Sequence, residues 1–305
     1  DEFQDISVGR YWLLKALLDQ VPHRRLFCVG DDWQAIYRFA GTDISIMTSF
    51  EERFGYTRTT ALDRTFRFNN RLCEFSTKFI LKNKHQIAKE LHTHEQVQEP
   101  AVQVVTVPNG SENGETLDTI LLDVQNRSGD GGASVLLLGR FRHDRPEHLA
   151  GLRRRYPNLR IDFLTTHASK GLEADYAIVL NLTAGRYGFP CEIEDDPLLD
   201  LVLAEESGFT NAEERRLFYV AVTRARRRTY LLTDEARRSA FVDEVTQRDF
   251  GGLVEFDQRA AAAVRCPQCS GETLVRREGD FKTFWGCCNY PLCEALYKVC
   301  DQCWR

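Results

Sequence analysis

Residues 161–182 read Ile-Asp-Phe-Leu-Thr-Thr-His-Ala-Ser-Lys-Gly-Leu-Glu-Ala-Asp-Tyr-Ala-Ile-Val-Leu-Asn-Leu. A short apolar run, Ile161–Leu164, opens into a loop of hydroxyls, a basic residue and a glycine. A second apolar run, Tyr176–Leu182, follows. Runs of this length, bounded by turn residues, read as buried strands, and the loop between them can line a phosphate path with backbone N–H groups. Working outward, Leu26–Val29 is expected to form a buried parallel strand ending at Gly30-Asp31-Asp32. Val102–Val107, Val135–Leu138 and Thr229–Leu232 are further strand candidates. Between them lie helical stripes at three-to-four spacing: Tyr11, Leu14, Leu18; Leu72, Phe75, Phe79; and Leu117, Ile120, Leu121, Val124. Strands interleaved with helices predict an α/β fold with its sheet covered on both faces.

The chain has 305 residues, 43% hydrophobic and 28% charged, enough for two ordinary domains or one large and one small. No apolar run is long enough to cross a bilayer and no signal peptide opens the chain, so the expectation is a soluble, cytoplasmic protein. The first residue is Asp1, inside a motif, which suggests a piece of a longer protein. The net charge of −5 gives no bulk hint of nucleic acid, so any such site must be a local patch. Acidic residues crowd Cys191–Glu206, which reads as a solvated loop. Seven of the ten cysteines fall between Cys266 and Cys303. In an intracellular chain that clustering favours metal over disulfides.

Several short stretches carry chemistry. Asp1-Glu2-Phe3-Gln4-Asp5 sets adjacent carboxylates at the end of a strand, suited to one residue on a hydrated magnesium ion and one activating water. Gly30-Asp31-Asp32-Trp33-Gln34-Ala35-Ile36-Tyr37-Arg38-Phe39 joins a glycine turn, two acids and an amide to aromatics. Gln34 could order a phosphate, and Tyr37 and Phe39 either stack on bases or belong to a core. In Glu213–Arg226, two acids open a helix, and Leu217, Val220, Ala221 and Arg224 are expected on one face. An arginine on an apolar stripe needs an anionic partner, either a carboxylate of the fold or a triphosphate.

In this order the motifs resemble those of superfamily 1A helicases of the UvrD/Rep type, most closely the DNA helicase IV group. Asp1–Asp5 looks like motif II, Gly30–Gly41 like motif III and Leu62–Asn69 like motif IV. Thr166–Tyr176 looks like motif V, and Glu213–Arg226 like motif VI. The resemblance implies RecA-like, P-loop NTPase-type parallel sheets: the end of domain 1A over residues 1–60 and domain 2A over 61–255. Residues 256–305 would be a linker and a small zinc-binding module. It implies that Asp1 binds Mg2+, that Glu2 is the general base and that Gln34 senses the γ-phosphate. Arg67 and Arg224 would be arginine fingers. Phe66 would stack on adenine, with Gly171 and Glu173 also at the nucleotide, Glu173 reaching the ribose. Tyr37, Phe39, Arg140 and His167 would line the single-strand path. Ala40 departs from the arginine common in the family, which weakens that strand contact.

No G-x-x-x-x-G-K-[ST] occurs, so the ATP-binding lysine and hydroxyl are expected upstream and the chain alone is expected to be inactive. The short interval from Asn69 to Thr165 leaves little room for the large 2B insertion of the UvrD and Rep enzymes. The implied activity is an ATP-dependent 3′–5′ DNA helicase or translocase, acting on single-stranded and partly duplex DNA in repair or replication. The rivals are a non-catalytic nucleic-acid-binding or scaffold module and the motor part of a helicase–nuclease.

In the tail, the Cys266/Cys269 pair and the Cys287/Cys293 pair suit tetrahedral Zn2+, which substitutes for a core so short a module cannot build. Phe284–Cys293 resembles the C4 zinc finger of bacterial type IA topoisomerases. Cys300 and Cys303 could serve a second site or an alternative pair. Phe281, Phe284, Trp285 and Tyr290, with Arg276, Arg277 and Lys282, could either face single-stranded DNA or pack around the metal.

Overall fold

The computed structural model describes residues 1–107, 113–193, 196, 203 and 208–256, and, in the tail, 268, 274–278, 283–287, 293 and 295–298. Its centre is a six-stranded parallel sheet. The strands are β3 (Val102–Val107), β4 (Ala133–Gly139), β5 (Leu159–Thr165), β6 (Ala174–Val179), β7 (Ala225–Asp234) and β8 (Val254–Phe256), in the order β5-β4-β6-β7-β3-β8. A two-stranded parallel ladder of β1 (Arg64–Thr65) and β2 (His92–Thr93) stands apart from it.

Alternation along the strands sends side chains to two cores. In β4, Val135 and Leu137 face a core completed by Leu117, Ile120, Leu121 and Val124 of α5 (Asn113–Ser128) and by Leu149 and Leu152 of α6 (Leu149–Arg155). Leu136 and Leu138 face the other core, with Leu72, Phe75 and Phe79 of α4 (Asn70–Ile80) and Leu217, Phe218 and Val220 of α7 (Ala212–Val222). Phe241 and Val242 of α8 (Ala240–Val245) close it. Both faces of the parallel sheet are therefore covered, as its near-continuous apolar strands require. Asn69 caps α4, its side chain accepting from Leu72 N at 3.0 Å.

Residues 1–55 add α1 (Val8–Asp19), α2 (Ser45–Thr48), α3 (Phe50–Phe54) and a small core of Ile6, Tyr11 and Ile46. Here one expectation is corrected. Leu26–Val29 forms no strand: its one ladder-like bond is Phe3 N donating to Val29 O at 2.9 Å, and Phe27 is 89% exposed. A strand needs a neighbour, and none of the described residues supplies one. The helical stripe of α1 faces inward as expected, with Tyr11 buried, Leu14 packed against the small core and Leu18 partly covered, while Trp12, Leu13 and Leu17 face outward.

A second correction concerns α7, which ends at Val222, so Arg224 lies beyond the helix, just before β7. In the tail, β9 (Leu274–Glu278), β10 (Thr283–Cys287) and β11 (Leu296–Lys298) make an antiparallel sheet in the order β11-β10-β9. The alanine run 260–263 falls outside the described residues. Among the described residues no helix is long and apolar enough to cross a membrane.

Candidate functional site

The crossover from β5 to β6 organises the site. Because both strands are parallel, residues 166–173 must return from the C-terminal end of the sheet to its N-terminal end. At the start Thr166 N donates to Gly139 O at the end of β4, and at the finish Ala174 N donates to Arg224 O before β7. His167 therefore stands at one end of the sheet and Glu173 at the other.

At the N-terminal end Arg224 is 1% exposed. Its Nε donates to Val220 O at 2.8 Å and its Nη1 to Leu172 O at 3.1 Å. Among the described residues it forms no ion pair. Burial first, then the neighbouring Arg67 charge, lower its pKa to about 10, so it remains cationic at neutral pH. Arg67 Nε lies 3.5 Å from Glu173 Oε1, and Arg226 Nε donates to Glu173 Oε2 at 3.0 Å. Phe66 is 80% exposed and borders a cleft of ≈ 230 Å³ with Arg64, His92 and His94. Gly171 has φ +81, the left-handed region that favours glycine.

Lys170, midway along the crossover, reaches residues 1–34. Its Nζ donates to Asp5 Oδ2 at 2.6 Å and to Gln34 O at 3.0 Å, and lies 3.3 Å from Glu2 Oε2. Burial raises the Asp5 carboxyl above its ordinary range, with Lys170 pulling it back. Gln4 is fully buried, and its amide donates to Glu2 while its Oε1 accepts from Asp31 N at 2.9 Å. Gly30 is needed for this approach, since a Cβ there would come within 2.7 Å of Gln4 Oε1. Asp31 in turn accepts from Gln34 Nε2 at 2.6 Å. Two α7 side chains one turn apart grip the same segment: Arg38 N donates to Glu213, and Arg216 Nε donates to Ala35 O.

The aromatics of the Trp33–Phe39 segment divide. Trp33 and Ile36 are fully buried against α7, whereas Phe39 is 66% exposed and Tyr37 half-buried. Tyr37 and Phe39 meet His167 with ring centroids at 6.2 and 5.5 Å. Burial first, then Arg140, lower the His167 pKa to about 4, leaving the imidazole neutral at pH 7. Arg140 pairs with Glu214 at 2.8 Å, so part of its charge is already balanced.

The structure thus ties Glu2 and Gln34 together through Gln4, Asp31 and Lys170. It sets Arg67, Glu173 and Arg224 near one another, with Asp31 acting on the Arg224 charge, and gathers Tyr37, Phe39, Arg140 and His167 into another region. Lys170, Gln4, Glu213 and Arg216 were missed by the sequence reading. Lys170 stood within a quoted motif, but only its burial beside two carboxylates marks it. A ring cluster was missed as well: Phe141 and His143 stack at 5.1 Å, and Tyr187 meets both edge-on.

Asp1 is an exposed carboxylate beside Glu2 and, among the described residues, forms no ion pair. An oxygen donor of that kind fits a hydrated magnesium ion. For zinc, Cys293 is buried and Cys287 ends β10 of the small sheet. Cys266, Cys269, Cys300 and Cys303 lie outside the described residues, as do the side chains named for a tail DNA surface.

Comparison with known proteins gives three family matches: the UvrD/REP helicase N-terminal domain over residues 1–55, the UvrD-like helicase C-terminal domain over 149–235, and the topoisomerase DNA binding C4 zinc finger over 263–303. DNA helicase IV of Escherichia coli (strain K12) is 41% identical over 254 residues, which is 82% of this chain and 35% of that protein. The putative ATP-dependent DNA helicase YjcD of Bacillus subtilis (strain 168) is 27% identical over 64% of this chain and 24% of its own length. The chain therefore spans only about a third of the first relative. A solved structure, the C-terminal domain of a possible DNA helicase from a Lactobacillus, aligns at 18% identity and a TM-score of 0.38, over 63% of this chain and 98% of that one. A likeness that low carries no weight for the fold.

Proposed function

Since this chain carries UvrD/REP helicase domains ahead of a topoisomerase-type C4 zinc finger, we propose that it is the DNA-engaging part of an ATP-driven motor. The motor moves 3′ to 5′ along single-stranded DNA and unwinds duplex, in the cytoplasm. Residues 1–60 end a first RecA-like domain, 61–255 make the second, and 256–305 hold the zinc module. ATP lies where the two domains meet.

The observation that carries the reading is Arg224: a buried, cationic guanidinium whose hydrogen bonds go to backbone carbonyls and Thr223 and which, among the described residues, forms no ion pair. Burying an unpaired charge is costly, and a phosphate that arrives with the substrate removes that cost. Arg224 and Arg67 meet charge developing at the γ-phosphate, and Glu2 takes a proton from the attacking water. Gln34, oriented by Asp31, faces the same phosphate. Phe66 stacks on the base, with Gly171 and Glu173 at the sugar. Asp1 would hold magnesium, which supplies charge neutralisation at the phosphates.

At the other end of the crossover, Tyr37, Phe39 and neutral His167 offer stacking surfaces to single-stranded bases, with Arg140 beside them. The crossover and Lys170 are the physical link between nucleotide and strand. The four cysteines would hold zinc as a structural ion.

The test uses the intact protein, extended upstream of Asp1. DNA-stimulated ATP turnover that disappears in Glu2→Gln, with strand displacement on 3′-tailed duplexes, is the expected result. Tight DNA binding without turnover would replace the motor with a binding module.

A further inference from the structure

The segment between α4 and β2 passes over the Asp31–Trp33 turn and is tied to it by several bonds. Ile87 N donates to Asp32 Oδ2 at 2.8 Å, and Trp33 Nε1 donates back to Ile87 O at 3.0 Å. Lys89 lies over the Trp33 ring, 4.8 Å from its centroid. Its Nζ lies 2.5 Å from Asp31 Oδ1 and 2.6 Å from Asp32 Oδ1. Asp32 is fully buried and burial raises its pKa, with Lys89 opposing that shift. Burial works against the Lys89 charge too, but the two carboxylates outweigh it.

Asp31 is the junction. While Oδ1 takes Lys89 and Trp33 N, Oδ2 takes the Gln34 amide at 2.6 Å. Two adjacent carboxylates, one of them buried, would repel without a shared cation, and the first response open to Asp31 is to rotate toward solvent. That rotation releases Gln34. A single ammonium with three donors can serve both carboxylates at once while its stem covers the indole.

We infer that Lys89 is a positioning residue for ATP hydrolysis, holding Asp31 so that Asp31 presents the Gln34 amide to the γ-phosphate. The inference rests on the proposed motor and adds a residue that acts through two others. It also makes the strap at 86–89 the part of the proposed second RecA-like domain that senses whether the GDDWQ turn is seated.

The experiment compares Lys89→Met, Lys89→Arg and Asp31→Asn in the intact protein. Lys89→Met keeps the stem over Trp33 and removes the charge. It should lower kcat for DNA-stimulated ATP hydrolysis roughly ten- to hundredfold, with KM for ATP within about twofold. Lys89→Arg should recover most of kcat, and Lys89→Met combined with Asp31→Asn should lose little more than the worse single change. A folded Lys89→Met protein with wild-type kcat, or fully additive losses with Asp31→Asn, overturns the inference. Should Lys89→Met fail to fold, Lys89→Gln supplies the same loss of charge: a reduced kcat supports the role and an unchanged one removes it. Absence of DNA-stimulated turnover in the wild-type protein would instead overturn the motor itself.

Discussion

Lys170 Nζ donates to Asp5 Oδ2 at 2.6 Å, joining the β5–β6 crossover to the first residues of the chain. The Lys170 side chain is 9% exposed and that of Asp5 20%, so the pair is shielded from solvent. Replacing Lys170 by Met leaves a half-buried carboxylate without its cation. Asp5 then rises further, and the fold should lose on the order of 2–4 kcal/mol, read as a lower urea midpoint. In the intact protein ATP turnover should fall by about tenfold or more, because Glu2 loses the same neighbour. An unchanged midpoint and unchanged turnover would make the pair incidental.

Arg224 and Arg215 give opposite expectations, although both are buried arginines of one motif. Arg215 is held by both oxygens of Glu244 at 2.8 and 2.6 Å and stacks over Phe79 at 4.3 Å. Arg215→Met should therefore cost about 3 kcal/mol or more by stranding Glu244. Arg224 strands no carboxylate, so Arg224→Met in the nucleotide-free protein should change stability by no more than about 1 kcal/mol. In the intact protein it should cut hydrolysis by roughly a thousandfold with DNA binding retained. Urea melts of the two variants, side by side with wild type, decide it.

His167 makes stability depend on pH in one direction. Its folded pKa of about 4 lies below the unfolded value of 6.5, so the folded state resists protonation. Above pH 6.5 both states are neutral and the full stability is present. As pH falls from 6.5 toward 4, the unfolded chain gains the proton first and stability drops, by about 2–3 kcal/mol at most. His167→Gln should flatten that part of the profile. A wild-type melt equally stable at pH 7 and pH 4.5, after the carboxylates are accounted for, would contradict the burial.

The tail should hold about one zinc per chain, with sulfur near 2.3 Å by X-ray absorption. Cys293→Ser should abolish stoichiometric zinc, and chelation should release the tail to proteolysis while leaving the parallel sheet intact. Metal analysis without zinc in freshly purified protein would refute the site.

The sequence by itself determined the parallel sheet and the order of the motifs. Apolar runs such as Val102–Val107 and Val135–Leu138 admit burial on both faces only, and the observed β3 and β4 contain them. It also singled out the residues proposed to meet nucleotide and strand. Tertiary structure decided what each one meets. Leu26–Val29 has the composition of a strand but no described neighbour to complete its hydrogen bonds, so composition misled. Arg215 and Arg224 share a motif and a charge, and only the fold gives one a carboxylate and the other carbonyl oxygens. Trp33 and Phe39 are both aromatic within seven residues, yet one is wholly buried and the other faces outward. Lys89 and Lys170 are unremarkable in sequence because their partners lie 58 and 165 residues away. Local pattern encodes which surfaces a residue can bury, whereas electrostatic partnership depends on which distant segments the fold sets side by side.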